Sequence, residues 1–192
     1  MTGSEETRLD PGIFDAVAPR VGRQIGEGTL EDADGRGLRI GLACALFNGG
    51  ITARLLDGAL DGLAAASVDR SETTVAWVPG AFELPLAAAQ FATAGGVDAV
   101  ACLGAVIRGD TSHFDFVAGE CASGIARVAL DTGIPVIFGV LTTDDVAQAL
   151  ERARPDETNK GREAALSAVA MAGMLREMGR STPTRVARSM GA

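Results

Sequence analysis

Histidine is nearly missing from this 192-residue chain, and His113 is the only one. That excludes most histidine-built metal centres, which need several imidazoles. Cysteine is scarce too. Cys44, Cys102 and Cys121 are far apart, odd in number and without a C-x-x-C pair. This argues against a disulfide framework and a zinc site and for buried free thiols in a reducing compartment. No long apolar run is present. The longest, 99–107, is about half a membrane span and ends at Arg108. The polar, acidic N-terminus has no apolar signal-peptide core, and the expectation is a soluble, cytoplasmic protein. Positive charge is in deficit, with 17 Lys and Arg against 25 Asp and Glu and a net charge of −8. A surface of that sign argues against nucleic-acid partners, which need cations to neutralise phosphates. A local basic pocket for a small anion stays allowed. There is no Walker loop, no strand followed by G-x-G-x-x-G, no G-x-S-x-G elbow and no H-E-x-x-H.

What is present suffices for one globular core: hydrophobic residues are 47% and charged residues 22%. Residues 1–37 are acidic and aperiodic and read as an arm, flexible or docked at the periphery. Residues 180–192 read as a basic tail with Arg180, Arg185 and Arg188. Between them, 38–179 alternates strand and helix patterns. Strands are expected over 39–45, 73–78, 98–107 and 134–141. Helices are expected over 51–66, 82–94, 114–131, from a capping box of Thr142 and Asp145 to before Pro155, and over 160–178. The run at 98–107 is apolar throughout, as in a strand covered on both faces. Repeated alternation implies right-handed βαβ units. The expected fold is α/β, a flavodoxin-like three-layer α/β/α domain with a four-stranded parallel sheet.

Ligands of such sheets bind beyond the carboxyl ends of the strands. There the sequence places Phe47 and Asn48, then Pro79-Gly80-Ala81-Phe82-Glu83, then Arg108-Gly109-Asp110-Thr111-Ser112-His113, and then Thr142-Thr143. The third of these leads straight into a helix. Its free N–H groups and the hydroxyls of Thr111 and Ser112 form either an anion site or an ordinary capped turn. His113 is a proton carrier by type, since imidazole titrates near pH 6.5, or else a surface residue at a helix start. Phe47 either stacks on a planar ring or plugs the core. Glu83 either binds hydroxyls or favours its helix N-terminus. Arg152 and Lys160 flank a proline-containing helix junction, where lone cations are commonly solvated.

Taken together, several segments resemble one family. They are Phe47-Asn48 with Ile51-Thr52, Trp77-Val78-Pro79-Gly80-Ala81-Phe82-Glu83-Leu84-Pro85, Leu103-Gly104-Ala105-Val106-Ile107-Arg108-Gly109-Asp110-Thr111-Ser112-His113-Phe114-Asp115, Pro135-Val136-Ile137-Phe138-Gly139-Val140-Leu141-Thr142-Thr143, Gln148-Ala149-Leu150-Glu151-Arg152-Ala153 and Asn159-Lys160-Gly161. In order and spacing, 38–178 resembles the 6,7-dimethyl-8-ribityllumazine synthases of riboflavin biosynthesis. The resemblance implies condensation of 5-amino-6-(D-ribitylamino)uracil with 3,4-dihydroxy-2-butanone 4-phosphate, with neither cofactor nor metal. It implies ring stacking by Phe47, uracil and ribityl contacts by Asn48, Ala81, Phe82 and Glu83, and main-chain contacts at Val106 and Ile107. It puts the phosphate at Asp110 and Thr111 and proton transfer at His113. It also implies that Phe138, Arg152 and Lys160 come from an adjacent subunit, Arg152 meeting the phosphate and Lys160 the uracil or ribityl end. The assembly so implied is a homo-oligomer, a pentamer or a multiple of one, in some members enclosing riboflavin synthase. Three positions depart from the family: Leu46 where arginine is common, Ala105 in place of a hydroxyl residue, and 154–158 in place of a Gly/Lys-rich turn. The alternative reading is a flavin- or lumazine-binding paralogue or scaffold with little catalysis. A generic nucleotide binder of this fold would act as a monomer.

Overall fold

A computed structural model describes residue 20, residues 25–26 and residues 28–180. Most of the acidic arm and the basic tail beyond residue 180 lie outside the described residues. Four strands, β1 (Ile40–Ala45), β2 (Thr73–Val78), β3 (Ala99–Ile107) and β4 (Val136–Thr143), form one parallel sheet in the order β2-β1-β3-β4. The helices are α1 (Gly49–Ala65), α2 (Leu84–Thr93), α3 (His113–Thr132), α4 (Val146–Arg152) and α5 (Lys160–Arg180).

Alternation along the inner strands sends side chains to two cores. Ile40, Leu42 and Cys44 of β1, with Ala99, Ala101, Leu103 and Ala105 of β3, meet α1, α4 and α5. Ala43, Ala45, Val100, Cys102 and Val106 meet α2 and α3 on the other face. This is why β3 is apolar at every position. The order of the strands follows from right-handed crossovers. From β1 the chain steps to β2 over one face through α1. It then returns past β1 to β3 over the opposite face through α2, and continues to β4 through α3. The direction of crossover reverses between β1 and β3, the switch point beyond which ligands of such sheets bind.

Three local expectations are corrected. Thr142 and Asp145 do not form a capping box. Thr142 and Thr143 pair with Val106 and Ile107, so β4 runs through both. The cap of α4 is Asp145 alone, its Oδ1 accepting from the Gln148 N–H at 2.8 Å. The helix expected from residue 82 begins instead as a 3₁₀ turn, Ala81–Glu83, with α2 proper starting at Leu84.

Residues 28–37 dock along α5. Glu31 pairs with Arg162 at 2.6 Å, and Arg176 donates to the Gly37 carbonyl at 2.9 Å. At the amino ends of the strands, Arg39 and Asp98 bind each other through main chain and side chain. The Arg39 N–H donates to Asp98 Oδ2 at 2.8 Å, and the guanidinium meets Oδ1 at 3.2 Å. Burial works to raise the Asp98 carboxyl, but the Arg39 side-chain and main-chain hydrogen bonds outweigh it and hold it below the ordinary value. A depressed carboxyl stabilises the fold above its unfolded value, about 3.9, and that contribution fades as pH falls through the folded value. Asp98→Ala should therefore cost about 1 kcal/mol at pH 7, a partly exposed pair being worth little more. Thermal unfolding at pH 7 and at lower pH should show the gap from wild type closing in acid. A gap independent of pH would count against the pair.

Candidate active site

The carboxyl ends of the strands carry four loops, and the backbone fixes each. After β1, the Leu46 N–H donates to the Val78 carbonyl at 2.8 Å and the Phe47 N–H to the Pro79 carbonyl at 3.0 Å. The β1–β2 ladder is thereby extended, and Phe47 is held beside the second loop with 73% of its surface exposed. Asn48 follows in the left-handed conformation, φ 58°, which asparagine tolerates better than most residues. Its side chain does not cap α1. It crosses to β3 instead, Nδ2 donating to the Ala105 carbonyl at 2.8 Å.

That bond marks the open part of β3. The β1–β3 ladder runs only to Cys44 and Leu103, whereas β3 continues against β4 to Ile107. Beyond Ala105, the β1-facing main chain left open is that of Ile107, whereas Val106, in step with Val100 and Arg108, turns its main chain to β4. In the second loop Ala81 is buried under the 3₁₀ turn, and Phe82 stands half exposed. The Glu83 carboxylate lies over Gly80, where an added Cβ would come within 3.2 Å of Oε2. A side chain at position 80 would therefore compete with the acid for space.

The third loop is a tight approach to α3. The His113 N–H faces Thr111 Oγ1 at 3.4 Å, and the Asp115 N–H donates to the Ser112 carbonyl at 3.0 Å. Asp110, Thr111 and His113 are exposed on this turn. Arg108 begins it. Its guanidinium bridges Asp115 of α3 and Asp144 beyond β4, each at 3.2 Å, and lies 4.1 Å from the centre of the Phe114 ring.

Phe47, Asn48, Ala81, Phe82, Glu83, Val106, Ile107, Asp110, Thr111 and His113 therefore share one end of one sheet. Phe138, Arg152 and Lys160 do not join them within the chain. Phe138 pairs with Cys102 in mid-sheet, five residues before the end of β4, roughly 16 Å back along the strand. Arg152 ends α4 and, among the described residues, donates along its own helix, to the Gln148 carbonyl at 3.0 Å. Lys160 opens α5 and pairs with Glu163. Both helices cover the face opposite α3.

Thiol chemistry is closed off. Burial pushes the Cys44 thiol up to about 12 and the Cys121 thiol up to about 11, and it raises Cys102 as well. A protonated, buried thiol is a poor nucleophile. Among the described residues, no group of three or more His, Cys, Asp or Glu is arranged to hold a metal ion.

A family profile described as 6,7-dimethyl-8-ribityllumazine synthase matches residues 37–176. The chain belongs to the 6,7-dimethyl-8-ribityllumazine synthase family. The match spans all four strands, α1 to α4 and most of α5, and every candidate site residue named above. Lumazine synthases are transferase-type enzymes serving riboflavin biosynthesis. Two features of this member gave no signal in its sequence. The partners of Arg108, Asp115 and Asp144, lie 7 and 36 residues downstream. Asn159 sits inside a recognised segment, and only its burial, 1% exposed, shows it to be a structural joint.

Proposed function

We propose that this protein condenses 5-amino-6-(D-ribitylamino)uracil with 3,4-dihydroxy-2-butanone 4-phosphate to give 6,7-dimethyl-8-ribityllumazine, phosphate and water. The observation that carries this reading is the convergence of Phe47, the 80–83 turn, the main chain at Ile107 and the 109–113 turn on the carboxyl end of one sheet. Phe47 offers a face for the pyrimidine ring. The open main chain of Ile107 at the end of β3 offers one donor and one acceptor for its polar edge. Asn48, Ala81, Phe82 and Glu83 border the ribityl chain. The turn at Asp110 and Thr111 points N–H groups and a hydroxyl at the phosphate.

The arylamine nitrogen attacks the ketone carbonyl and expels water to form an imine. Loss of a carbon-bound proton then drives phosphate out. The enol so formed takes a proton on its terminal carbon to become a ketone, and the second amine closes on this new carbonyl, losing a further water. His113 stands at the phosphate turn, where it takes and returns protons in these steps. Holding two substrates in register supplies most of the acceleration, about 7–11 kcal/mol in favourable cases.

Phe138, Arg152 and Lys160 complete this site from a neighbouring copy, in a cyclic homo-oligomer of five subunits or a multiple of five. The mid-sheet place of Phe138, and the place of Arg152 and Lys160 on helices of the face opposite α3, support that arrangement. A ring of this kind repeats one heterologous contact. A partner enzyme such as riboflavin synthase would be enclosed only by the larger assemblies.

The test is turnover with both substrates under anaerobic conditions, followed by lumazine absorbance against the uncatalysed condensation. Product formation above background supports the reading. No rate from an intact oligomer would move the assignment to a flavin- or lumazine-binding paralogue. Arg152→Ala should raise KM for the phosphorylated ketone by about 10- to 100-fold, the worth of a charge-assisted fork, and leave KM for the pyrimidine unchanged. Oligomers co-assembled from Arg152→Ala and His113→Ala subunits should exceed both parents, because some interfaces regain both residues. Mixed oligomers no faster than their parents would place both residues in one chain's site.

A further inference from the structure

We propose that Arg108 is a positioning residue: it straps the 109–112 turn and the start of α3 to the end of β4, and so sets where the phosphorylated substrate meets His113. This rests on the lumazine synthase reading above.

The strap has four attachments. The Arg108 N–H donates to the Thr143 carbonyl at 2.9 Å, adding a rung to the β3–β4 ladder beyond the last strand pair. Its Nε meets Asp144 Oδ1 at 3.2 Å, and Nη1 meets Asp115 Oδ1 at 3.2 Å. The guanidinium carbon lies 4.1 Å from the centre of the Phe114 ring, a cation–π contact. Phe114 packs against the second core. The side chain thus grips the two residues that follow His113, while its own main chain holds the strand that precedes the turn. Between these grips lies Gly109, with open space around it, and the few bonds of the turn itself.

Arg108 does not read as a phosphate ligand. Its guanidinium faces two carboxylates, so the trio carries a net charge of −1. A phosphate dianion drawn to Arg108 would also meet Asp115 and Asp144. The cation therefore acts through the turn. Such leverage is large in principle, since a misplacement of about 1 Å at a reacting pair costs on the order of 100-fold in rate.

The test compares Arg108→Gln, Arg108→Lys, Asp115→Asn, Asp144→Asn and Arg108→Gln/Asp144→Asn with wild type in steady-state kinetics. Arg39→Gln, which breaks an ion pair at the far end of the sheet, is the control for stability alone. Arg108→Gln should lower kcat/KM for the phosphorylated ketone by about 10- to 100-fold, with an unchanged KM for the pyrimidine. Its melting temperature should stay near that of Arg39→Gln. Arg108→Lys should rescue part of the loss, because one ammonium meets one carboxylate at a time. Asp115→Asn and Asp144→Asn should fall in the same direction, and the double variant should be no worse than its poorer parent.

Either of two results would overturn the proposal. If the Asp→Asn variants bind the phosphorylated ketone more tightly, Arg108 is a phosphate ligand held back by its acids. If Arg108→Gln behaves like Arg39→Gln, with lower stability and unchanged kinetics, the strap is structural only. Absence of turnover in wild type would sink the synthase reading instead. Equilibrium dialysis against inorganic phosphate would then decide the role of Arg108. Binding by wild type that weakens in both Arg108→Gln and Asp144→Asn supports the strap, and binding preserved in Arg108→Gln overturns it.

Discussion

Gly161→Ala is expected to destabilise the protein by about 3–5 kcal/mol, a large share of the roughly 5–15 kcal/mol that holds a domain together. Gly161 lies in the first turn of α5, where that helix leans on the main chain of α1. A Cβ built there runs into the carbonyl of Leu55, with the Leu55 Cα only 2.8 Å away. Main chain cannot swing aside as a side-chain tip can. Leu55 itself is fully buried, so α1 has no room to retreat. Moving α5 instead would break the joint that Asn159 makes. Its Nδ2 donates to the carbonyls of Arg54 at 3.1 Å and Arg154 at 2.8 Å, and its Oδ1 accepts from the N–H groups of Gly161 at 2.8 Å and Arg162 at 3.3 Å. Overpacking costs about 1–3 kcal/mol, and each buried polar group left unpaired a further 1–3 kcal/mol or so. Gly173→Ala is the comparison. It lies in the same helix with open space around it, and it should be neutral or slightly stabilising because alanine is the better helix former. Urea unfolding of both variants measures the contrast. Equal midpoints would mean that the α1–α5 contact yields freely.

His113→Ala should slow turnover by about 10²- to 10⁴-fold, the range for one positioned proton carrier. Oligomeric state and KM for the pyrimidine should not change, because the His113 side chain is exposed at the start of α3. The variant should still run faster than the uncatalysed condensation. On the proposed reading, Phe47, the open end of β3 and the 109–112 turn would still bring the two substrates together, orientation being the larger contribution. A folded, fully assembled variant with no activity above background would show that proton transfer dominates instead. A variant as fast as wild type would remove His113 from the reaction.

The parts of the fold that periodicity encodes were legible in the sequence. β2 falls at 73–78 as expected, and the unbroken apolar run of β3 reflects two cores pressing on one strand. Element ends were legible where one rule governed them and misleading where two competed. Thr142 to Asp145 has capping-box spacing, yet Thr142 and Thr143 go to the ladder because β3 offers Val106 and Ile107 beside them. The residues from Ala81 to Glu83 look helical but close as a 3₁₀ turn, with proline following in the first turn of α2. The candidate site was legible as loops at strand ends, since chain order and right-handed crossovers suffice to gather them. Arg108 was not. Asp115 and Asp144 approach it only after α3 and β4 have folded back, and local spacing carries no trace of that.

The three buried thiols have a practical consequence. Cys44, Cys102 and Cys121 are fully enclosed, and their protons are held tightly at neutral pH. Alkylating or maleimide reagents therefore find nothing to attack on the native protein. A single cysteine engineered onto an exposed helix position, such as Leu130 at 85% exposure, becomes the one addressable handle in the described part of each chain. Dyes or spin labels can be attached there without first removing the native sulfurs, and accidental labelling of those sulfurs reports unfolding.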